Sequence, residues 1–194
     1  MKAHKLETEK PEILWHESQN IYRPMQLALP EFLSTIELIS PCSLSVEKEK
    51  DSLLVFMQKS CLETMQSHAA KDILREQAGI LCGQAFLASD QLYVDITCVI
   101  PVDTINSPAH FTFHEESWER IWSQLQNVSP IVGWYHSHPG LGVFLSATDL
   151  RTQKLYFAEP WQVAIVIDPV SSQFGIFSGA NGELINSERC FIYA

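Results

Sequence analysis

Strands and helices in mixed order, with hairpins flanking crossover helices, predict an α/β sandwich around a curved, mostly antiparallel sheet. Two observations carry this expectation. Short runs rich in β-branched and aromatic residues recur along the chain (SLLVFM, QAGILCGQAFLA, LYVDITCVIPV, IVGWYHSHP and WQVAIVI), and the segments between several of them repeat apolar residues every three and four positions.

Taken in order, SLLVFM predicts a strand and QKSCLETMQSHAAKDIL a helix, because Cys61, Leu62, Met65 and Ala69 fall on one face at helical spacing. QAGILCGQAFLA and LYVDITCVIPV are separated only by the turn-forming SDQ, which makes them antiparallel neighbours. HEESWERIWSQLQ predicts a second helix, with Trp118, Ile121, Trp122 and Leu125 as core candidates and acids in its first turn. After NVSP, the strand IVGWYHSHP leads through a glycine-containing loop to a helix from Ser146 to Phe157, then to the strand WQVAIVI. QFGIFSG and ELINSERCFIYA close the sheet. Residues 1–50, with Pro11, Pro24, Pro30 and Pro41, predict an extended arm packed on a main domain over residues 51–194.

Composition excludes several classes. With 23 acidic against 13 basic residues and a formal net charge of -10, the chain would repel a phosphate backbone at long range, so nucleic acid is not an expected partner. The N-terminal MKAHKLETEKPEI has no apolar signal region and no run suits a membrane helix. Cys42, Cys61, Cys82, Cys98 and Cys190 form no CxxC pair, which points to a reducing cytoplasm rather than a disulfide framework or a thiolate zinc knuckle.

One stretch concentrates chemistry. In GWYHSHPGLGVFLSATDL, His136 and His138 are two apart on a strand, so both imidazoles point to one face, and Pro139 ends the pairing just beyond them. Ser146 and Asp149 stand three apart at a helix start and face one side of its first turn. Each pair also has a plain reading: two histidines bonded to one another, and a serine that caps a helix whose dipole favours an acid. Together they offer two nitrogens and a carboxylate, the three-ligand set with an open fourth position that marks catalytic zinc. Zinc lowers the pKa of water from about 15.7 towards about 7, yet a base must still move the proton. Glu76, a charged residue at the head of the apolar EQAGILCG, is the candidate, and a solvated loop acid is its other reading.

The segment from His136-Ser-His138-Pro to Ser146 and Asp149 resembles the JAMM motif of the JAB1/MPN/Mov34 metalloproteases, and EQAGILCG resembles their upstream glutamate element. The likeness extends from about residue 52 to the C-terminus and, in its compactness, the chain resembles small stand-alone prokaryotic members. It implies the MPN/JAB (cytidine-deaminase-like) fold, one Zn2+ held by His136, His138 and Asp149, Glu76 as acid/base, and Ser146 as a hydrogen-bond donor to the reacting oxygen. Val143 stands where several eukaryotic relatives have a cysteine, a departure that bears on substrate fit.

The resemblance further implies a metalloprotease that cuts the amide or isopeptide bond after the tail of a ubiquitin-like protein, with that modifier, its conjugates and enzymes of its conjugation pathway as partners. The alternative is a non-catalytic MPN scaffold subunit, against which the intact Glu76 and Ser146 weigh. Other chemistries lack their motifs: HEES at His114 has no second histidine for a zincin, and neither PCxxC nor GxSxG occurs. His110 and His114 are read as ordinary loop or helix-start residues.

Overall fold

The computed structural model describes residues 22–39, 53–102 and 130–194. The helix expected over HEESWERIWSQLQ, with Trp118 and Trp122, lies outside the described residues, as do His110, His114, Cys42 and most of the first fifty positions.

The described elements are β1 (Met25–Gln26), α1 (Leu29–Leu33), β2 (Leu54–Gln58), α2 (Lys59–Ala69), β3 (Ala78–Ala88), β4 (Gln91–Val102), β5 (Ile131–Ser137), α3 (Ala147–Tyr156), β6 (Val163–Asp168), β7 (Gln173–Ser178), β8 (Glu183–Leu184) and β9 (Cys190–Tyr193). They form a single curled sheet in the order β8-β7-β6-β5-β3-β4-β2-β9, with β1 added beside β3. β3 pairs antiparallel with β4 and β5, as β7 does with β6 and β8. Parallel pairing enters where a helix or a longer connection intervenes, between β5 and β6, β2 and β4, and β2 and β9. The α/β class and the MPN/JAB fold implied by the motif are therefore what the chain adopts.

The β3–β4 hairpin turns at Ser89, which takes a left-handed φ of 57°, and a register shift between Cys82 and Gly83 bends the pair. A Cβ at position 83 would overlap the Asp95 carbonyl oxygen, so only glycine permits this approach. Because β5 pairs with β3 only as far as Cys82, the outer half of β3 is open to β1, and the Ala85 N–H bonds to the Tyr22 hydroxyl at 2.8 Å.

Alternation along the strands sends side chains to two faces. On one, Val55, Met57, Leu81, Ile96, Tyr135 and Ile165 pack with Cys61, Met65 and Ala69 of α2. This helix stops at Ala69, short of the expected Leu74, and Asp72 then accepts the Leu74 N–H at 2.9 Å in a turn that competes with helix. The other face is divided. Ile80, Trp134, Ala164, Val166 and Phe177 meet Phe157 at the end of α3, whereas Leu54, Phe56, Phe86, Tyr93, Phe191 and Tyr193 are covered by residues 27–38, with Phe32 of α1 inserted among them. Part of the proline-bearing arm is thus a short helix plus strand with a buried aromatic anchor, where the spacing of prolines predicted only an extended path.

Candidate metal centre

β5 delivers its last residues to the end of the sheet, where β3 begins. There His136 lies opposite Ala78 of β3 and Val166 of β6, and is fully buried. The strand ends at Ser137, but the His138 N–H still reaches the Ile167 carbonyl at 2.8 Å, so the second histidine remains tied to β6. The intervening Ser137 points the other way. Its hydroxyl accepts the Gln77 N–H at 2.9 Å and its own N–H donates to the Gln77 carbonyl at 2.8 Å, a clasp that fixes the residue next to Glu76.

α3 brings the carboxylate. Ser146 caps this helix: its hydroxyl accepts the Asp149 N–H at 3.3 Å, while Asp149 Oδ2 accepts the Ser146 N–H at 2.7 Å. The plain capping reading is therefore correct as far as it goes. The same Oδ2 atom also faces both imidazoles, 3.4 Å from His136 Nε2 and 3.6 Å from His138 Nε2, and those two nitrogens are 3.1 Å apart. Zn–N and Zn–O bonds of about 2.0–2.1 Å in a tetrahedron imply ligand atoms about 3.3–3.4 Å from one another, so these three atoms have the spacing the ion requires. Their chemistry agrees: two nitrogens and one oxygen, all buried, converge on one point with no cationic side chain among them.

The electrostatics of Asp149 follow from this crowding. Burial alone would push its carboxyl up, but the polar contacts of the His136 and His138 imidazoles, the charge of His136 and the bond with Ser146 hold it far below the ordinary carboxylate range. Glu76 sits just outside the trio, its Oε1 atom 3.8 Å from His138 Nε2 and its side chain 17% exposed. All five residues singled out from the sequence thus belong to one locale, Ser146 through its bonds to Asp149.

Three further residues build the surroundings. Asp168, at the end of β6, accepts N–H groups from Gly140 at 2.9 Å, Gly142 at 3.2 Å, Val170 at 2.9 Å and Ser171 at 3.4 Å, pinning the loop after His138 to the β6–β7 turn. The Gly140 bond, with those from Ser171 and Val170, lowers its carboxyl to about 2 against some desolvation. Gln153, fully buried, accepts from Trp134 Nε1 at 2.8 Å and donates to the Phe157 carbonyl at 2.8 Å, joining α3 to β5. The third is Phe144, whose ring lies 4.7 Å from that of His138 and, with Leu141, leaves apolar surface exposed at the mouth. The signal for Asp168 was present as an acid ending the apolar VAIVID. Gln153 carried none beyond its place one turn after Asp149.

Comparison with known proteins agrees with the geometry. Residues 46–159 match the profile of the family described as JAB1/Mov34/MPN/PAD-1 ubiquitin protease. COP9 signalosome complex subunit 5 of Caenorhabditis elegans is 35% identical over 112 residues, covering 55% of this chain and 30% of that one. The ubiquitin carboxyl-terminal hydrolase RPN11 of Saccharomyces cerevisiae is 30% identical over 132 residues, covering 62% of this chain and 40% of its own length. This chain thus spans well under half of these curated relatives. Among solved structures, the solution structure of protein DSY2949 from Desulfitobacterium hafniense aligns with a TM-score of 0.54 at 22% identity, over 72% of this chain and 92% of that one, a likeness of fold.

Proposed function

The chain belongs to the JAB1/Mov34/MPN/PAD-1 family, and from that premise we propose that it is a zinc metalloprotease that hydrolyses the amide or isopeptide bond after the C-terminal tail of a ubiquitin-like modifier, in deconjugation or precursor maturation. The observation that carries this reading is the convergence of His136 Nε2, His138 Nε2 and Asp149 Oδ2 on one point, with a further carboxylate, that of Glu76, beside them.

Those three atoms would hold Zn2+, which supplies Lewis acidity to polarise a carbonyl and to acidify water. The protein's own groups do the rest. Glu76 accepts a proton at Oε1 from the attacking water and returns it to the departing nitrogen, a task open to it because it stands at the edge of the cluster and is partly exposed. Ser146 accepts from the Asp149 amide and still has its own hydroxyl proton to donate to the oxygen on which charge develops. Asp149, held ionised by its imidazole neighbours, keeps negative charge opposite the cation. Leu141 and Phe144 give the mouth an apolar lining beside which an extended tail of small residues can lie.

The modifier class rests on the relatives, one of which is named as a ubiquitin hydrolase. Its conjugates and the enzymes of its conjugation pathway are the partners that fit. The described thiols, Cys61, Cys82, Cys98 and Cys190, are unpaired, and no helix among the described residues is long and apolar enough to cross a membrane; a cytoplasmic setting agrees with both. The test is release of a reporter fused behind a ubiquitin-like tail. Cleavage should require Zn2+, stop on chelation, and fall by about two to four orders of magnitude in Glu76→Gln, with metal content unchanged. No release from any such fusion by the Zn2+-loaded protein would favour the scaffold reading.

A further inference from the structure

The two metal-facing imidazoles are oriented in an unusual way. A ligating histidine ordinarily hands its second ring N–H to a carboxylate or a carbonyl, and that bond sets the ring plane. Here His136 Nδ1 and His138 Nδ1 are buried and find no hydrogen-bond partner among the described residues. What holds His136 instead is a contact on the face of its ring. Trp134 lies flat against His136, with centroids 4.6 Å apart and an interplanar angle of 9°, and Phe157 continues the stack at 5.9 Å and 16°.

The middle ring of this stack is itself fixed. Trp134 Nε1 donates to Gln153 Oε1 at 2.8 Å, and Gln153 Nε2 donates to the carbonyl of Phe157, the outer ring of the same stack. Gln153 stands on α3 one helical turn beyond Asp149, so both residues project from the same side of the helix. One hydrogen bond therefore joins the element that supplies Asp149 to the ring that sets the plane of His136.

We propose that Trp134 and Gln153 form a brace that positions His136 against Asp149 and so sets the metal affinity of the centre. Neither residue touches the reacting atoms; both act through the imidazole. An aromatic face can do this because a flat contact restrains tilt, and the indole is locked at its only polar atom. Burial makes the restraint firm: Gln153 and Trp134 are 0% and 1% exposed, so no solvent competes for the Nε1–Oε1 bond.

The inference rests on His136 being a metal ligand, and the test separates the two. Zn2+ affinity is measured by chelator competition on the whole chain, and the absorption of the Co2+ form reports ligand geometry. Gln153→Met fills the same space without the acceptor and should bind Zn2+ about tenfold or more weakly, within the range usual for residues that orient ligands. Trp134→Phe keeps a ring over His136 but removes the donor, and should shift affinity in the same direction. Because both cut one bond, the double variant should lose no more than the weaker-binding single variant. Ile96→Val and Met65→Ala, in the cluster on the opposite face, bracket the stability loss and should leave affinity and spectrum unchanged. Parent-like affinity in Gln153→Met, additive losses in the double variant, or equal losses in the two controls would overturn the brace. If His136→Ala retained full Zn2+ affinity, the ligand assignment beneath it would fall as well.

Discussion

Two carboxylates are buried in different halves of one sheet, and their protonation is pushed in opposite directions. Asp149, beside β5, has imidazoles on two sides and a capping serine, and is held far below the usual range against the cost of burial. Asp95, on β4, is equally hidden, but it receives one bond, from the Tyr193 hydroxyl at 2.7 Å, and burial carries it up to about 6. A buried acid with one neutral donor tolerates becoming neutral. One surrounded by groups that favour its charge keeps that charge, and a buried carboxylate that stays ionised beside two imidazoles is a group a cation can replace the protons of. The contrast separates a cluster that could hold an ion from a buried acid with a single tyrosine partner.

The comparison is broken most directly at the site. His136→Ala should remove Zn2+ and turnover together, with far-ultraviolet circular dichroism preserved, and metal content is the deciding measurement. Full stoichiometric metal with lost turnover would make His136 something other than a ligand. The complementary change in the other half is Phe32→Ala. Its ring contacts those of Phe56, Phe86 and Tyr93 at centroid distances of 4.9, 5.7 and 5.3 Å, and deleting such a ring typically costs about 3–5 kcal/mol of unfolding free energy. Denaturant titration should show that loss while the folded fraction binds Zn2+ normally. Weakened metal binding would mean that the two halves are coupled.

A smaller effect distinguishes chemistry from capping at a single residue. Ser146→Ala should retain metal and lose turnover by about two to three orders of magnitude, the usual consequence of removing one donor to a developing oxyanion. The lost cap alone would lower stability by about 1 kcal/mol. Unchanged turnover with that stability loss would leave Ser146 as a helix cap only.

How much of this was legible in the sequence differs between the same two regions. The His136, His138, Ser146 and Asp149 group could be read because each member is local: a strand's period sets the histidines on one face, and a helix start sets the serine and aspartate on one side. The hairpin of β3 and β4 was legible for the same reason, with SDQ as its turn. The half around Asp95 was not. Its aromatic cluster draws Phe32, Phe56, Tyr93 and Phe191 from four separate stretches, and nothing in the local pattern around Phe32 announces a partner so distant in sequence. Nor does the pattern of VDITCVI mark Asp95 as facing a tyrosine at the other end of the described chain. Gln153 and Asp168 were missed alike, because one bonds a tryptophan on another element and the other, besides the local amides of Val170 and Ser171, bonds those of Gly140 and Gly142 in the loop after β5.

Asp95 gives the mildest test and the one with a definite sign. Its folded pKa of about 6 lies above the ordinary carboxylate value, so folding favours the protonated acid. Below about pH 4 the group is neutral in both states and imposes no penalty; as pH rises through about 6 the folded protein must either ionise a buried acid or hold its proton. Stability should therefore decline across that window, by up to about 3 kcal/mol for a displacement of roughly two pH units. Asp149 works in the opposite sense, since a depressed pKa contributes stability above the unfolded value and loses it as pH falls. Asp95→Asn keeps an oxygen for the Tyr193 hydroxyl and removes the titration. Urea unfolding of the chelated protein at successive pH values should show the variant gaining on the parent from pH 4 to pH 7. A difference that stayed constant over that range would mean that Asp95 is not held neutral by its burial, and the contrast between the two acids would then reduce to the imidazoles alone.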